Sequence, residues 1–312
     1  MEPIIFQPIY KERVWGGRSL ETIYKRTLPC DATPFGESWE MTDRVKEQSV
    51  VINGKFKGLS LNTLWNEHQT EIFGPGMPDT DRFPLLIKIL DAHADLSVQV
   101  HPPEHVAQKL GGEAKTEMWY IADVEPEGTL YVGVKEGVTS QCFEKAIING
   151  TVEEHIHSIH PKVGDSIHIE SGRLHAIGSG FLIYEIQQNS DTTYRVFDWN
   201  RLGLNGQPRD LHIKESMMCI DFSDQEPSMD HCPTSTISQC IHFQVDKYHA
   251  HSGDLITQKN IQNFAVITVI SGSLASTNGQ RFTAGDFFLL PANASPLEVL
   301  DEGEYLETII PV

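Results

Sequence analysis

The chain has 312 residues, about twice the length of an average domain, with 39% hydrophobic and 21% charged residues and a formal net charge of −19 at pH 7. It has no apolar run near the ~18 residues of a membrane span, and its first residues, MEPIIFQPIYKERVWGG, lack the features of a secretory signal. The missing signal favours the cytoplasm. Because the negative charge repels nucleic acid and anionic membranes, we expect the protein to bind neither.

Short apolar or alternating segments dominate the chain and are separated by Gly, Pro, Asn and Asp, a pattern that predicts an all-β fold. The predicted strands are, in chain order, RFPLLIKIL, LSVQVH, TEMWYIA, TLYVGV, DSIHI, FLIYEIQQ, FAVITVI and DFFLL. The predicted helices are few: LETIYK, LSLNTLWNEHQ, EHVAQKL and CFEKAIING. We expect these helices to decorate a structure made of sheets.

The segment DFSDQEPSMDHCPTSTISQC, residues 221–240, is polar, contains two prolines and indicates a domain boundary. We predict a first β domain over residues 1–225, a linker or loop over 226–240 and a second β domain over 241–312. The five cysteines are scattered without a CxxC pair, which favours reduced thiols over a disulfide framework or a structural zinc site.

A weak internal similarity relates the two predicted domains. KVGDSIHIESGRLHAI around Gly164 resembles FTAGDFFLLPANASPL around Gly285, each with a Gly-Asp turn before a strand. When the turns are aligned, His175 falls on Pro296, and the strand QNFAVITVI contains no His, Asp, Glu or Cys. The second domain is therefore predicted to be a degenerate jelly-roll copy without a metal site, although Gly-Asp turns also recur by chance in β proteins.

Four residues form a candidate metal site. Gln99 and His101 in LSVQVHPP share one face of a strand, together with Ser97, because alternate side chains of a strand point the same way. Glu117 follows sixteen residues after His101, and His175 follows a Gly-Asp turn. Each residue alone is weak evidence, since a single strand histidine is usually an ordinary hydrogen-bonded residue.

The chemistry of this set favours one divalent ion per chain, most simply zinc. Two neutral imidazoles, a neutral amide and one carboxylate leave a divalent cation with about +1 net charge, so the bound ion stays Lewis acidic. The same two-histidine, one-carboxylate combination also suits the iron of an oxygenase, which is the rival enzyme class.

Other histidine groups are weaker candidates. His155, His157 and His160 lie in a polar, glutamate-containing segment and are interpreted as a solvated face. His249 and His251 repeat the i, i+2 spacing in the second domain, but no accompanying carboxylate or third imidazole is evident from the sequence. We expect neither group to hold the catalytic metal.

Cationic residues occur where an anionic ligand could use them. Lys88 interrupts the apolar run PLLIKIL, where a buried ammonium needs a partner unless it reaches water from an edge strand. The segment NSDTTYRVFDWNR contains Asp191 and Arg195, and arginine offers a planar fork for phosphate or sugar oxygens. The alternative for Arg195 is a surface ion pair with Asp191 or Asp198.

These motifs together resemble the type I mannose-6-phosphate isomerases, zinc enzymes of the cupin superfamily, in their short bacterial form. The similarity covers KERVWGG, FGESWEMTDR, FPLLIKILDA, LSVQVHP, AKTEMWYIAD, the VGD turn, SGRLHAIGSG and EIQQNSDTTYRVFDWNR, and it weakens after about residue 215. The resemblance implies a cupin (double-stranded β-helix, or jelly-roll) catalytic domain with a degenerate cupin-like second domain and few helices.

The resemblance also implies roles for individual residues. The family's zinc ligands fall on Gln99, His101, Glu117 and His175. Its active-site arginine falls on Arg195, and its further pocket residues fall on Lys88, Ser97, Lys115, Glu185 and Asp191.

Three positions depart from the family pattern. Glu170 replaces the usual proline before the Ser-Gly ahead of His175, Arg173 replaces a small residue and could face the pocket, and Ala114 replaces a common glycine. None of these departures removes a predicted ligand.

The implied reaction interconverts mannose 6-phosphate and fructose 6-phosphate through an enediol, with Glu185 or Lys115 as base and Arg195 sharing the developing charge. Lys88 and Ser97 would bind the phosphate, and Asp191 could orient Arg195. The expected partner is a phosphorylated hexose, and the expected assembly is a monomer or weak homo-oligomer. Besides the oxygenase, a sugar-phosphate-binding regulator without turnover is the remaining alternative.

Overall fold

The computed structural model describes residues 1–232 and 234–312 and consists mainly of antiparallel strands. The strands are β1 (Ile9–Gly17), β2 (Phe35–Met41), β3 (Leu85–Ala92), β4 (Val98–Val100), β5 (Glu117–Val124), β6 (Leu130–Val134), β7 (Ile156–Ile159), β8 (Ser166–Ile169), β9 (His175–Ile177), β10 (Phe181–Gln188), β11 (Tyr194–Phe197), β12 (Thr236–Gln239), β13 (Gln244–Ala250), β14 (Leu255–Ile256), β15 (Ala265–Val269), β16 (Ser273–Ala275), β17 (Arg281–Thr283), β18 (Phe287–Leu290), β19 (Leu297–Asp301) and β20 (Gly303–Ile309). The helices are α1 (Ser19–Thr22), α2 (Leu61–Glu67), α3 (Gln69–Ile72), α4 (Glu104–Leu110), α5 (Ser140–Asn149) and α6 (Ile213–Cys219), with a 3-10 helix at Val152–His155. Each predicted strand is present, and a helix occurs at all four predicted places.

The chain divides into two compact units. One comprises Tyr10–Ser38 and Lys88–Asp230, and the other comprises Met1–Ile9, Trp39–Ile87 and His231–Val312. The second unit thus combines the C-terminal strands with two N-terminal segments that the sequence does not link to them. The division into residues 1–225, 226–240 and 241–312 stays a prediction.

The Tyr10–Ser38 and Lys88–Asp230 unit contains the predicted metal site. The order of strands in one sheet is β1-β2-β3-β10-β5-β8, and in the other it is β11-β4-β9-β6-β7. Apolar side chains from both sheets form a shared core that includes Leu90, Trp119, Val132, Ile169 and Ile177. Two sheets packed around one apolar layer give the predicted jelly-roll architecture.

A second apolar layer lies against the other face of strand β4. Val98 and Val100 alternate with Gln99 and are fully buried in a cluster with Phe143 of helix α5 and Cys219 of helix α6. The sequence did not predict α6. Because the valines fix one face of β4 in this layer, the alternate side chain of Gln99 and the following His101 are directed to the opposite face.

The unit that contains the C-terminal strands is also built from two sheets. Their orders are β12-β13-β20-β15-β18 and β14-β19-β16-β17, and the core includes Ala265, Ile267, Phe288, Leu297 and Val299. This topology repeats that of the first unit, since β13 to β20 occupy the places of β3 to β10. The all-β fold with a degenerate second jelly roll is therefore confirmed.

The Gly-Asp turns show the same geometry in both units. Gly164 and Gly285 have φ of 92° and 84°, a conformation that favours glycine. The amide of Gly164 donates to the Ile121 carbonyl at 2.9 Å, and that of Gly285 donates to the Val269 carbonyl at 2.9 Å. The internal similarity seen in the sequence is thus a real structural repeat rather than a chance recurrence.

The helices are short. Among the described residues, no helix has the length and apolar character needed to cross a membrane.

Candidate functional site

The predicted ligands come together at one buried point. One nitrogen from each of His101 and His175 and an oxygen of Glu117 lie within 4.8 Å of one another. Each of the three side chains is 1% exposed. The Gln99 amide joins them, with Nε2 at 3.3 Å from His175 Nε2. These four residues are called the buried donor cluster below.

Strand register brings the donors together from distant parts of the sequence. Gln99 on β4 pairs directly with His175 at the start of β9, and Glu117 begins β5. The loop before β9 is tied to β4 because the Gly172 amide donates to the His101 carbonyl at 2.8 Å. Gly172 has φ of 97°, and a Cβ there would lie 3.2 Å from the Cys219 carbonyl oxygen. A larger residue would therefore disturb the approach of His175 to His101.

Backbone carbonyls fix the tautomer of both histidines. His101 Nδ1 lies 2.9 Å from the Thr192 carbonyl, and His175 Nδ1 lies 2.9 Å from the Arg173 carbonyl. Because a carbonyl only accepts, Nδ1 carries the proton in each ring and Nε2 keeps its lone pair. This is the arrangement that orients metal-ligating imidazoles in proteins. The two Nε2 atoms are the ones that face the cluster.

The remaining contacts also fit a cation. Lys115 Nζ lies 2.5 Å from Glu117 Oε2 and 3.2 Å from His101 Nε2, so an ammonium already points at the ligand atoms. Glu117 Oε2 is buried without a hydrogen bond of acceptable geometry among the described residues. Half a turn of the Gln99 amide would present its oxygen, the better metal ligand, in place of Nε2. The residues thus fit a divalent ion.

Burial and charge set the protonation of the cluster. Burial, aided by Lys115, lowers the pKa of His101 to about 4, and burial likewise lowers the pKa of His175. Burial opposes ionisation of Glu117, yet Lys115 and His101 outweigh it and hold the pKa of Glu117 well below its ordinary value. Two neutral imidazoles and one carboxylate are therefore available at neutral pH, as the predicted ligand set requires.

A cavity of about 540 Å³ opens beside the buried donor cluster. Gln99 and Lys115 line the cavity and also contact the cluster, so they form the boundary between the two. The size lies in the range of small-molecule sites. The predicted pocket residues Lys88, Ser97, Glu185, Asp191 and Arg195 all line it.

Lys88, Glu185 and Lys115 form a buried chain of charges along one wall. Glu185 Oε1 lies 3.1 Å from Lys88 Nζ and 3.4 Å from Lys115 Nζ. Burial alone would lower the pKa of Lys115, but the carboxylates of Glu117 and Glu185 outweigh it and raise that pKa. The ammonium of Lys88 is therefore paired inside the cavity wall rather than extended to water from an edge strand.

Arg195 is held by neutral groups. Its Nε donates to Ser97 Oγ at 3.2 Å, and its Nη1 donates to the Asp210 carbonyl at 2.9 Å. Within the described chain, Arg195 has no carboxylate within 4.0 Å. The expected orienting contact from Asp191 and the alternative ion pair with Asp198 are both wrong.

The reason lies in the neighbours of Asp198 and Ser97. Asp198 is already occupied by Arg201 and Arg209, with nitrogens at 2.9 and 2.5 Å from Oδ1. Ser97 Oγ in turn donates to Gln99 Oε1 at 3.3 Å, so hydrogen bonds connect Arg195 to the buried donor cluster. The charge of Arg195 thus remains available to a ligand in the cavity.

Comparison with known proteins gives a consistent family. Residues 4–146 match the model for the catalytic domain of type I phosphomannose isomerase. The chain is 37% identical to mannose-6-phosphate isomerase ManA of Bacillus subtilis over 99% of this chain and 98% of that one. It is 34% identical to mannose-6-phosphate isomerase of Streptococcus mutans, with 93% and 92% of the two chains covered.

The chain belongs to the type I phosphomannose isomerase family. A solved structure supports this assignment: the crystal structure of mannose 6-phosphate isomerase from Bacillus subtilis aligns with a TM-score of 0.87 and 32% identity, covering 99% of both chains.

Within this family framework, the departure at Arg173 has a structural explanation. The expectation that its side chain could face the pocket is wrong, because the guanidinium turns away to Asp224. Nε and Nη2 of Arg173 donate to the Asp224 carboxylate at 2.8 and 3.0 Å, and Nη1 donates to the His168 carbonyl at 2.6 Å. Arg173 therefore braces the backbone carbonyl that orients His175. Glu170 is exposed at the neighbouring turn.

Other lining groups were missed by sequence reasoning. Arg13 on β1 makes a two-point ion pair with Glu37 on β2, at 2.8 and 3.2 Å, and both line the cavity. Arg209 also lines it. The motifs KERVWGG and FGESWE contain the first two residues and were the available signal. No sequence signal indicates the roles of the Thr192 and Asp210 carbonyls, since every residue has a backbone carbonyl.

The remaining histidine groups behave differently from one another. His155 Nδ1 lies 3.0 Å from the Thr151 carbonyl and His160 Nδ1 lies 3.2 Å from the Gly128 carbonyl, as expected for residues without a metal role. His249 and His251, by contrast, do have a carboxylate close by, that of Glu302. The sequence analysis missed it because 51 residues separate Glu302 from His251.

Proposed function

We propose that this chain interconverts mannose 6-phosphate and fructose 6-phosphate as a metal-dependent aldose-ketose isomerase. The observation that carries the proposal is the buried donor cluster, placed behind a cavity that is lined by Lys88, Lys115 and Arg195. Family membership and the names of the relatives give the substrate. A chain with net charge −19 needs such a local concentration of cations to attract a phosphorylated sugar.

Zinc is the ion that we propose for the buried donor cluster, with His101, His175, Glu117 and Gln99 as ligands. Two imidazole nitrogens with carboxylate and amide oxygens form a set typical of catalytic zinc, and the reaction requires no redox change. When bound, the ion supplies Lewis acidity toward the oxygens at the reacting carbons of the sugar.

Binding of the phosphate is assigned to Lys88 and Ser97, with Arg195 next to them. Lys88 Nζ reaches the cavity while paired with Glu185, and Ser97 Oγ lies 3.2 Å from Arg195 Nε. Holding a group that does not react lets its binding energy orient the carbons that do. Arg195 can also follow negative charge as it spreads over both sugar oxygens, because its planar fork presents several donors without reorganisation.

Proton transfer between the two carbons is assigned to Glu185 or Lys115. The two groups lie 3.4 Å apart at the same wall, so either can reach a substrate bound between the cluster and Arg195. A carboxylate in that position can take a proton from one carbon and return it to the other. Lys115, with its raised pKa, can instead donate to an oxygen of the enediol.

A coupled assay tests the proposal directly. The purified chain should convert mannose 6-phosphate to fructose 6-phosphate, and unphosphorylated mannose should react far less efficiently. Of the variants Glu185→Gln and Lys115→Met, the one that removes the base should stop exchange of the substrate C2 proton with solvent while leaving phosphate-dependent binding measurable. A chain that binds the sugar phosphate without any turnover would contradict the isomerase assignment, and turnover that requires dioxygen would point to the oxygenase class.

A further inference from the structure

The second histidine group forms a possible ligand set on the protein surface. His249 is the second-last residue of strand β13, His251 follows directly after that strand, and Glu302 lies between β19 and β20. His249 Nε2 lies 3.0 Å from Glu302 Oε1, and His251 Nδ1 lies 3.5 Å from the same oxygen. We propose that these three residues form a second divalent-metal site, separate from the catalytic one and selective for zinc-like ions.

The distances match the requirements of a tetrahedral ion. Ligands at ~2.0–2.1 Å from zinc in tetrahedral geometry are roughly 3.3 Å apart. The two nitrogen–oxygen distances of 3.0 and 3.5 Å bracket that value, and all three donor atoms lie within 4.8 Å.

The backbone that carries the donors is fixed by its own hydrogen bonds. Ser252 Oγ donates to the Leu300 carbonyl at 2.8 Å, and the Gly253 amide donates to the Val299 carbonyl at 2.8 Å. Strand β13 pairs with β20, with His249 opposite Glu304. The three donors therefore stand on backbone segments that are already joined, which lowers the entropy lost when an ion binds.

Charge and exposure define what the site can bind. Glu304 is paired with Lys247 at 3.0 Å and Asp301 with Arg281 at 2.7 Å, which leaves the Glu302 carboxylate facing the two imidazoles. Two imidazoles select zinc, nickel or copper over magnesium and calcium, which prefer oxygen. The side chains of His249, His251 and Glu302 are 49%, 68% and 59% exposed, so water completes the coordination and binding is weaker than at the buried donor cluster.

Such a site would cross-link two parts of the chain. An ion held by His249, His251 and Glu302 would join the end of β13 to the β19–β20 connection. Because the ion binds the folded chain and not the unfolded one, it would raise the melting temperature as its concentration increases. The three residues are not among those that line the catalytic cavity, so turnover should not depend on this site.

Equilibrium dialysis of the untagged, full-length chain tests the proposal with Zn²⁺ as the probe. After one equivalent has been loaded tightly, the protein should bind a second, weaker equivalent that Mg²⁺ at the same concentration does not displace. His249→Ala with His251→Ala should abolish the second equivalent, and Glu302→Gln should weaken it at least about tenfold. The matched control is His155→Ala with His157→Ala, which removes the same spacing of imidazoles and should change nothing.

Three results would overturn the second site. They are a wild-type chain that binds one equivalent only, a second equivalent that survives the His249 and His251 substitutions, and displacement by Mg²⁺. Protection from histidine modification gives an independent measurement on the unaltered chain. Zinc should slow the reaction of diethyl pyrocarbonate with His249 and His251 but not with His157, and equal rates with and without zinc would contradict the proposal.

Discussion

The two jelly rolls of this chain share their strand order and their Gly-Asp turns, but they differ at positions that carry the predicted metal ligands. Glu117 and Ile169 pair in the first unit, and the corresponding pair in the second is Ala265 and Leu290. His175 corresponds to Pro296 when the turns are aligned. Ala265 and Leu290 belong to the apolar core of the second unit, so the place of Glu117 is occupied there by an apolar side chain.

This difference shows which features maintain the fold and which supply the chemistry. Turn glycines and alternating apolar residues are present in both units, so they belong to the shared architecture. The buried donor cluster adds polar groups that are costly to bury unless a cation or hydrogen bonds compensate. Substitutions at the four positions of the cluster should therefore impair function more than they impair folding.

The largest effect is expected from making the first unit resemble the second at His175. His175→Ala should lose the tightly bound metal equivalent and bring isomerase activity to the detection limit, because one of two imidazole ligands is gone. Metal analysis and the coupled assay measure both quantities. Circular dichroism should still show a folded β protein. A variant that keeps full activity would show that His175 is not a ligand of the catalytic metal.

Arg195→Ala is expected to follow in size. Loss of its donors should lower kcat by roughly 10²–10³, about 2.7–4 kcal/mol, with metal content unchanged. Arg195→Lys should recover only part of the rate, since lysine keeps the charge but not the planar fork. Steady-state kinetics with metal analysis distinguish the roles: a wild-type kcat in Arg195→Ala would show that the arginine is merely structural.

Lys88→Ala should raise KM for the phosphorylated sugar while metal content stays the same. A hydrogen bond to a charged group contributes roughly 1.5–3 kcal/mol, so KM should rise about ten- to a hundredfold. The matched control is Lys55→Ala, which removes an exposed lysine paired with Glu71 and should leave KM unchanged. An unaltered KM in Lys88→Ala would show that this lysine pairs with Glu185 but does not bind the phosphate.

The smallest effect is expected at the ion pair of Arg173 and Asp224, which lies outside the buried donor cluster. Arg173→Ala or Asp224→Ala should speed zinc release to a chelator by about tenfold, because outer-shell supports tune metal affinity. The double variant should release zinc no faster than either single one, since both changes break the same pair. Lys55→Ala, which breaks an exposed pair with Glu71, is the control. Additive effects would show that the two residues act separately.

Sequence reasoning predicted the strands and the ligand set because both depend on local patterns. Alternation in LSVQVHPP places Gln99 and His101 on one face, and the structure shows them in the same cluster. The errors at Arg195 and Arg173 have another origin. The guanidinium of Arg195 contacts Ser97 and that of Arg173 contacts Asp224, and both partners are distant in the chain. No local spacing reveals which of several nearby acidic residues is already paired with another arginine.

The same limit explains why the second histidine group was undervalued. His249 and His251 are two positions apart in the sequence, but the carboxylate of Glu302, which completes the set, is brought close to them by the pairing of β13 with β20. Backbone carbonyls that orient ligands, such as that of Thr192, are invisible for a different reason, since their position depends on the fold and not on residue type.

Zinc titration of the metal-stripped His249→Ala, His251→Ala variant tests the central claim most directly, because this variant retains only the buried donor cluster. Isomerase activity should be absent without zinc, rise linearly as zinc is added and stop rising at one equivalent per chain. Full activity in the stripped protein, or a rise that continues well beyond one equivalent, would contradict the assignment of catalysis to a single ion at His101, Glu117 and His175.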